Sequence, residues 1–141
     1  MLPMVFNLYN NDRLTAWKQF RDSLELSDTP FEDVAKFWSH APFVSPYLDP
    51  QNPTEWPDPW TLIVDGRFDE LAIVVGMLYT IKLTQRFMNS QLEIHTSTSP
   101  EEKDPIYMLI IDNKYVINYE YRTVSSVNVL EKIQTSLVWS K

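Results

Sequence analysis

The chain has no cysteine and very few glycines and histidines, and these absences remove several classes of chemistry. Without cysteine there can be no disulfide, zinc–thiolate site, iron–sulfur cluster or thiol nucleophile. Gly66 and Gly76 are the only glycines, so no glycine-rich phosphate-binding loop can be written. His40 and His95 are the only histidines, which excludes a three-histidine metal site within one chain.

Basic residues and long apolar runs are also scarce. The chain has twelve Lys and Arg residues and nineteen Asp and Glu residues, which give a net charge of −7. This charge disfavours a free-standing nucleic-acid binder, because such a protein needs a basic surface to bind phosphates. The N-terminus lacks the pattern of a signal peptide, and the most apolar run, residues 71–83, is shorter than the roughly 20 residues that span a bilayer. We therefore expect one domain over residues 1–141 with no membrane contact.

Residues 1–41 are predicted to be helical. An apolar stripe at three- and four-residue spacing predicts a helix over residues 12–26, capped by Asn11 or Asp12. The stripe consists of Leu14, Trp17, Phe20, Arg21 and Leu24. Thr29 and Glu32 form a capping-box pattern around Pro30, which predicts the start of a second helix that ends at Pro42. The buried face expected for this helix comprises Phe31, Val34, Ala35 and Trp38.

Residues 42–60 form a segment rich in proline and tryptophan, which we call the arm. Six of the ten prolines lie here, so the arm is predicted to be extended, without a helix or a central strand. Trp56 and Trp60 are expected to anchor it against the third helix, with Gly76 or Ala72 leaving room for an indole. The acceptors expected for the indole N–H groups are Asp58 and Asp65. Whether the arm covers the core or binds a partner stays open.

The remainder, residues 61–141, is predicted to be a buried helix followed by a sheet. The third helix runs from Asp65 or Asp69 to Phe87 and is apolar on all sides over its first half. The period then changes to two, with a charged loop at residues 99–105 and a tight turn at residues 112–114. The predicted strands are residues 92–98, 106–111, 115–122 and 136–139, with a short helix at 127–133. This order predicts an α+β fold in which residues 71–83 pack on an antiparallel sheet of three to five strands.

Two groups of residues suggest catalysis or metal binding, and each has a structural interpretation that we favour. The acidic residues Asp58, Asp65, Asp69 and Glu70 surround the start of the third helix, where they complement its dipole. His95 precedes a loop that contains Glu101, Glu102 and Asp104, but no nucleophile is evident beside it. His40 is expected at a helix end, where it can satisfy carbonyl groups. No catalytic residue, metal site or cofactor is therefore predicted.

The abundance of large aromatic residues favours protein–protein contact over catalysis. Five tryptophans and seven tyrosines occur in a single acidic chain, and these residue types dominate interface hot spots. Tyr107 lies near the tyrosines predicted on the third strand. The predicted partner-binding residues are Trp56, Trp60, Tyr115, Tyr119 and Tyr121.

The segment from Trp60 to Leu83, WTLIVDGRFDELAIVVGMLYTIKL, resembles small proteins encoded by contractile-tailed phages of marine cyanobacteria. Those proteins have a Trp-Pro-x-Pro-Trp-x-Leu element followed by an apolar helix ending in Met-Leu-Tyr-Thr. The resemblance extends from Phe37 to Trp139. It implies a phage source and no particular activity.

The same segment also resembles the nucleophile helix of the transglutaminase-like, papain-related fold. Gly66 and Ala72 match the frame of that motif, but Phe68 stands where the family has its cysteine. The positions expected for the histidine and the aspartate hold Ile106 and Asn118. The resemblance therefore implies a degenerate fold of this type without its activity.

The sequence thus predicts a non-catalytic structural or assembly protein of a phage virion. The expected partners are other proteins, with no nucleic acid and no membrane, and self-association stays open. One alternative is a small soluble phage protein that binds and modulates a host factor in the host cytoplasm. A second alternative is a catalytically dead transglutaminase-like domain that binds a peptide.

Overall fold

A computed structural model describes residues 5–42, 48–97 and 105–140 and has an α+β fold. The α-helices are α1 (Asn10–Leu24), α2 (Pro30–Trp38), α3 (Pro59–Asp65) and α4 (Glu70–Lys82). The strands are β1 (Leu92–Ser97), β2 (Ile106–Ile111), β3 (Tyr115–Ile117), β4 (Val124–Ser126) and β5 (Ser136–Ser140). Short 3₁₀ helices lie at Val5–Asn7, Pro53–Glu55 and Val127–Lys132. The predicted fold class is confirmed.

The centre of the molecule is α4, as the sequence predicts. Every residue from Leu71 to Leu78 is buried, because the helix packs against α2 and α3 on one side and against β1 and β2 on the other. A helix with no solvent-exposed face over two turns is stable only inside such a core. The helix nevertheless ends at Lys82, and residues up to Phe87 form turns.

The five strands form one antiparallel sheet in the order β4-β3-β2-β1-β5. The apolar strand β2 is central, which confirms the prediction from its lack of a polar face. The predicted tight turn joins β2 to β3. Asp112 and Asn113 both have positive φ there, and the Lys114 N–H donates to the carbonyl of Ile111, as in the hairpin turns that suit twisted strands.

The two faces of the sheet bury separate apolar layers. Leu109, Ile111 and Ile117 join the main core under the helices. Met108, Ile110 and Val116 point the other way and are covered by apolar residues of the 3₁₀ helix Val127–Lys132 and the chain around it. This segment connects the two edge strands, β4 and β5, across that face of the sheet.

The first two helices lie close to their predicted positions, but their N-termini differ in detail. Helix α1 starts at Asn10, so Asn11 and Asp12 lie inside its first turn and do not cap it. Thr29 does precede α2, but its hydroxyl donates to the Asp33 carboxylate at 3.1 Å, so the predicted capping box does not form. The second helix also buries Phe37, which the predicted face omitted.

The predicted third helix begins at the later of its two predicted positions, after Asp69, and a separate helix that was not predicted, α3, precedes it. Gly66 ends α3 with a left-handed conformation, φ 67°, which glycine adopts without strain. Asp58 caps α3 by accepting from the Thr61 N–H at 2.8 Å, and Asp69 caps α4 by accepting from the Ala72 N–H at 2.7 Å. Helix α3 therefore begins inside the arm at Pro59, where a proline suits the first helical turn.

The prediction for the third strand is wrong beyond Ile117. Asn118 has a φ of 79° and Arg122 a φ of 54°, so the chain turns over these residues instead of continuing in an extended conformation. The short strand β4 follows and was not predicted. Tyr119 and Tyr121 consequently lie in a turn. Predictions that concern residues 43–47 of the arm and most of the charged loop, residues 99–104, lie outside the described residues.

Candidate protein–protein interface

The arm does not dock against α4 in the way the sequence predicts. The indole of Trp56 is half-buried against the main core, but its N–H donates to the carbonyl of Asp49 at 2.8 Å, within the arm. Trp60 is 51% exposed on α3, and its ring meets the buried ring of Trp17 edge-on at 6.1 Å. The indole that packs against Gly76 belongs to Trp38 of α2.

This position of Trp60 changes the expected effect of its removal. A Trp60→Ala variant should lose about 1–3 kcal/mol of unfolding free energy, because only about half of the side chain is buried and its edge-on contact with Trp17 adds to that burial. Truncation of a fully buried tryptophan such as Trp38 should cost about 3–5 kcal/mol. Urea unfolding followed by circular dichroism measures both. A loss for Trp60→Ala as large as that for Trp38→Ala would contradict the exposed position.

The three predicted tyrosines do not share one surface. Tyr115 is 45% exposed beside the β2–β3 turn, and its ring lies 5.4 Å from that of Phe31. Tyr119 is half-buried against the apolar layer on the far face of the sheet. Tyr121 is 68% exposed in the turn before β4, with the Arg122 guanidinium 4.1 Å from its ring centre. Of the five predicted partner-binding residues, Trp60, Tyr115 and Tyr121 are therefore accessible, at separate places.

Tyr115 belongs to a larger group of apolar side chains that we call the apolar corner. Its residues come from four segments: the chain after α1, the start of α2, the turn after α4, and the start of β3. Phe31 links the last three, with its ring centre 5.0 Å from that of Phe87 and 5.4 Å from that of Tyr115. We define the apolar corner as these three rings together with the exposed apolar residues of the adjoining segments, Leu26, Leu83 and Met88.

Polar contacts hold the chain after α1 against the turn after α4. The Glu25 carboxylate accepts from the backbone N–H groups of Gln85 and Arg86 at 2.8 and 2.9 Å. The Arg86 guanidinium donates to the carbonyls of Leu24 and Ser27 at 2.9 and 2.7 Å. They satisfy the Leu24 carbonyl at the C-terminal end of α1 and hold this segment beside the turn after α4.

The apolar corner is exposed to an unusual degree. Leu26 is 92% accessible, Met88 53%, and Leu83 37%. An isolated exposed leucine is ordinary, but large apolar side chains grouped with aromatic rings mark interaction sites. Periodicity does not indicate this group, because Leu26 and Met88 lie in irregular segments that follow helices.

The acidic residues at the start of α4 have structural partners. Asp58 and Asp69 are the N-caps of α3 and α4. Glu70 forms a bidentate ion pair with Arg122, whose Nη2 lies 2.9 Å from Glu70 Oε1. Asp65 is exposed at the end of α3. Within the ranges that the structure describes, no group of three or more His, Asp or Glu side chains could hold a metal.

Arg122 is the centre of a buried polar network that joins the helix layer to the sheet. Its side chain is 4% exposed, and besides Glu70 it donates to the Asn118 side-chain carbonyl at 2.9 Å. The Asn118 amide in turn donates to the carbonyl of Tyr107 at 2.9 Å. This network fixes the turn after β3 against the start of α4.

The two histidines and Phe68 have no arrangement that points to catalysis. His95 lies between Thr135 and Glu93, with Nδ1 2.9 Å from the Thr135 hydroxyl and Nε2 3.4 Å from the carboxylate, so it links β1 to the chain before β5. His40 is exposed after α2. Phe68 is fully buried and packs edge-on against Trp38 at 5.3 Å. A side chain in that position fills the core and faces no cleft.

Burial raises the pKa of two tyrosines beside the core, Tyr79 and Tyr107. Burial and the nearby Asp58 carboxylate raise the pKa of Tyr79, whose hydroxyl donates to the carbonyl of Pro57 at 2.7 Å. Burial and Asp69 likewise raise the pKa of Tyr107. Both groups resist ionisation in the folded protein more than in the unfolded chain.

Stability should therefore fall as the pH rises above about 10, the ordinary tyrosine pKa. Below that pH both states are protonated, whereas above it the unfolded chain releases protons that folded Tyr79 and Tyr107 retain. Each tyrosine contributes a slope of up to about 1.4 kcal/mol per pH unit. Urea unfolding at a series of alkaline pH values should show a shallower slope for Tyr79→Phe, and equal slopes would contradict this assignment.

Comparison with known proteins gives no relative from which a role can be transferred. No protein-family model, no curated protein and no solved structure matches the chain. In the described part of the chain, no helix has both the length and the apolar character needed to cross a membrane. The candidate interface is thus defined by this molecule's own surface.

Proposed function

We propose that this chain is a non-catalytic structural or assembly protein of a phage particle and that it acts through protein–protein contacts. The observation that carries the proposal is the apolar corner, in which Leu26, Leu83 and Met88 are exposed on segments that adjoin the ring cluster of Phe31, Phe87 and Tyr115. Complete burial of one leucine or methionine side chain stabilises by about 1.5–3 kcal/mol, so a partner that covers these residues gains several kcal/mol.

The surroundings of the apolar corner fit a permanent partner better than a small molecule. Glu25 and Arg86 lie at its edge with their polar groups already bonded, and they supply the polar rim that surrounds the apolar centre of many interfaces. The cation of Arg86 lies 5.0 Å from the centre of the Phe87 ring and orients it. The partner expected here is another virion subunit with an apolar pocket.

Two further considerations support a non-catalytic role in a virion. The residues that could have supplied acid–base chemistry are engaged in structure, since Asp69 caps α4, Glu70 pairs with Arg122 and His95 contacts Thr135. The phage setting is supported by the resemblance of the segment from Trp60 to Leu83 to small proteins of contractile-tailed cyanobacterial phages.

Mass spectrometry of purified virions tests this function. A structural component should be present in a fixed ratio to the other virion proteins, and the ratio should persist through repeated density-gradient purification. Abundance in the infected lysate with absence from purified virions would contradict the proposal. That result would favour instead a soluble protein that modulates a host factor.

A further inference from the structure

A cavity of about 270 Å³ lies on the face of the sheet opposite the helices, beside the β2–β3 turn. The described residues that line it are Gln91, Glu93, Ile110 and Asn113. Glu93 and Ile110 are paired directly across β1 and β2, so their side chains share one face, and Ile110 belongs to the apolar layer of that face. Gln91 precedes β1, and Asn113 lies in the turn. The cavity therefore has an apolar floor and polar walls.

Short contacts fix the positions of the polar walls. The Gln91 N–H donates to the Asp112 carboxylate and the Asp112 N–H donates to the Gln91 carbonyl, each at 2.8 Å, which ties the chain before β1 to the turn. The Glu93 carboxylate lies 3.4 Å from Nε2 of His95, whose Nδ1 lies 2.9 Å from the Thr135 hydroxyl. A ligand that enters the cavity therefore meets groups that are already partly ordered, which lowers the entropic cost of binding.

The same side chains have unused hydrogen-bonding capacity. Within the described part of the chain, the side-chain amides of Gln91 and Asn113 make no hydrogen bond, and the Glu93 carboxylate has the single contact with His95. Two amide carbonyls and one carboxylate are thus available as acceptors around one cavity. Glu93 is the one charged residue among the described residues that line it, and its side chain is only 32% exposed.

We propose that this cavity binds a primary ammonium group, with the attached alkyl chain against Ile110. An ammonium has three N–H donors and one positive charge, and the walls offer three acceptor groups, one of which is negative. The net charge of −7 also favours a cation over an anion at the surface. The volume lies just below the range of about 300–1,000 Å³ that is typical of small-molecule pockets, so a short alkylammonium fits best. The site shares no residue with the apolar corner and does not depend on the proposed function.

Titration with n-butylammonium followed by nuclear magnetic resonance tests the site. The side-chain signals of Gln91, Ile110 and Asn113 should shift saturably, with a dissociation constant of about 1–10 mM. Binding should be at least about tenfold weaker for n-butanol, which has the same alkyl chain without the charge, and for n-butylammonium with Glu93→Gln. Glu120→Gln removes the same charge at an exposed position beyond the other end of β3 and should bind as the wild type does.

A second variant and a second probe complete the test. Gln91→Ala removes one acceptor at an exposed position and leaves the contact between Glu93 and His95 in place, so it should weaken binding several-fold. Nα-acetyl-lysine methylamide presents the same ammonium as a lysine of a partner protein. Its binding as tightly as n-butylammonium admits that source, much weaker binding restricts the site to free amines, and either result supports the site. Equal shifts with n-butanol, unchanged affinity in Glu93→Gln or Gln91→Ala, or no saturation at about 100 mM would overturn the proposal.

Discussion

Replacing Thr80 by valine is expected to lower the free energy of unfolding by about 2–6 kcal/mol, although the two side chains have nearly the same shape. The Thr80 hydroxyl is fully buried and accepts from the indole N–H groups of both Trp17 and Trp38, each at 3.1 Å. It also donates to the carbonyl of Gly76 at 2.7 Å. Valine leaves two buried donors without an acceptor, and each such group costs about 1–3 kcal/mol.

Thr80→Ser is the matched control for this prediction. Serine keeps the hydroxyl that joins α1 and α2 to α4 and loses only a methyl group, so it should cost about 1 kcal/mol. Chemical unfolding followed by far-ultraviolet circular dichroism measures both variants without relying on the tryptophans themselves. A valine variant as stable as the serine variant would show that the shared hydroxyl does not hold the two indoles.

Replacing Gly76 by alanine is expected to destabilise by about 1–3 kcal/mol or more, against the gain of about 1 kcal/mol that alanine normally gives in a helix. A Cβ at this position would lie within 2.7 Å of three atoms of the Trp38 ring. Trp38 is fully buried and its indole is bonded to Thr80, so the ring has little freedom to move.

A second substitution separates this clash from any other effect of the alanine. In a Trp38→Leu background the ring atoms that would meet the new Cβ are absent, so Gly76→Ala should there be neutral or stabilising. The four proteins form a double-mutant cycle measured by urea unfolding. An alanine penalty of the same size in both backgrounds would contradict the contact as its cause.

The elements with a strong local pattern could be predicted from the sequence. The all-round apolar run of α4, the apolar β2 and the polar turn that follows it each lie close to where the sequence places them. Gly76 was expected to admit an indole, and it does. The sequence does not show that this indole belongs to Trp38, because Trp38 is distant in sequence and the arm contains two nearer tryptophans, Trp56 and Trp60.

The errors arose where tertiary contacts outweigh local pattern. The short helix α3 was not predicted: Gly66 ends it, and the buried guanidinium of Arg13 donates to the carbonyl of Ile63 at 2.9 Å in its last turn. Tyr119 and Tyr121 continue the alternation of β3, yet the network of Asn118 and Arg122 turns the chain there. An alternating pattern does not reveal such a turn.

The candidate site was predictable only in part. Tyr115 was identified as an accessible aromatic residue, and it lies in the apolar corner. Leu26 and Met88 come from separate turns, and these turns lie together because Glu25 and Arg86 join the chain after α1 to the turn after α4. The position of β5 at one end of the strand order, beside β1, could not be predicted either, since it depends on a connection that crosses the whole sheet.

Incorporation of a corner variant into virions tests the central claim most directly. The double variant Leu26→Lys, Met88→Lys changes two exposed side chains of the apolar corner, and Gln19→Lys, Gln51→Lys adds the same charge at exposed polar positions. With each gene supplied during infection, quantitative mass spectrometry of purified virions should find the control at the wild-type ratio and the corner variant strongly depleted. Equal incorporation of the two variants, or absence of the wild-type chain from virions, would contradict the account.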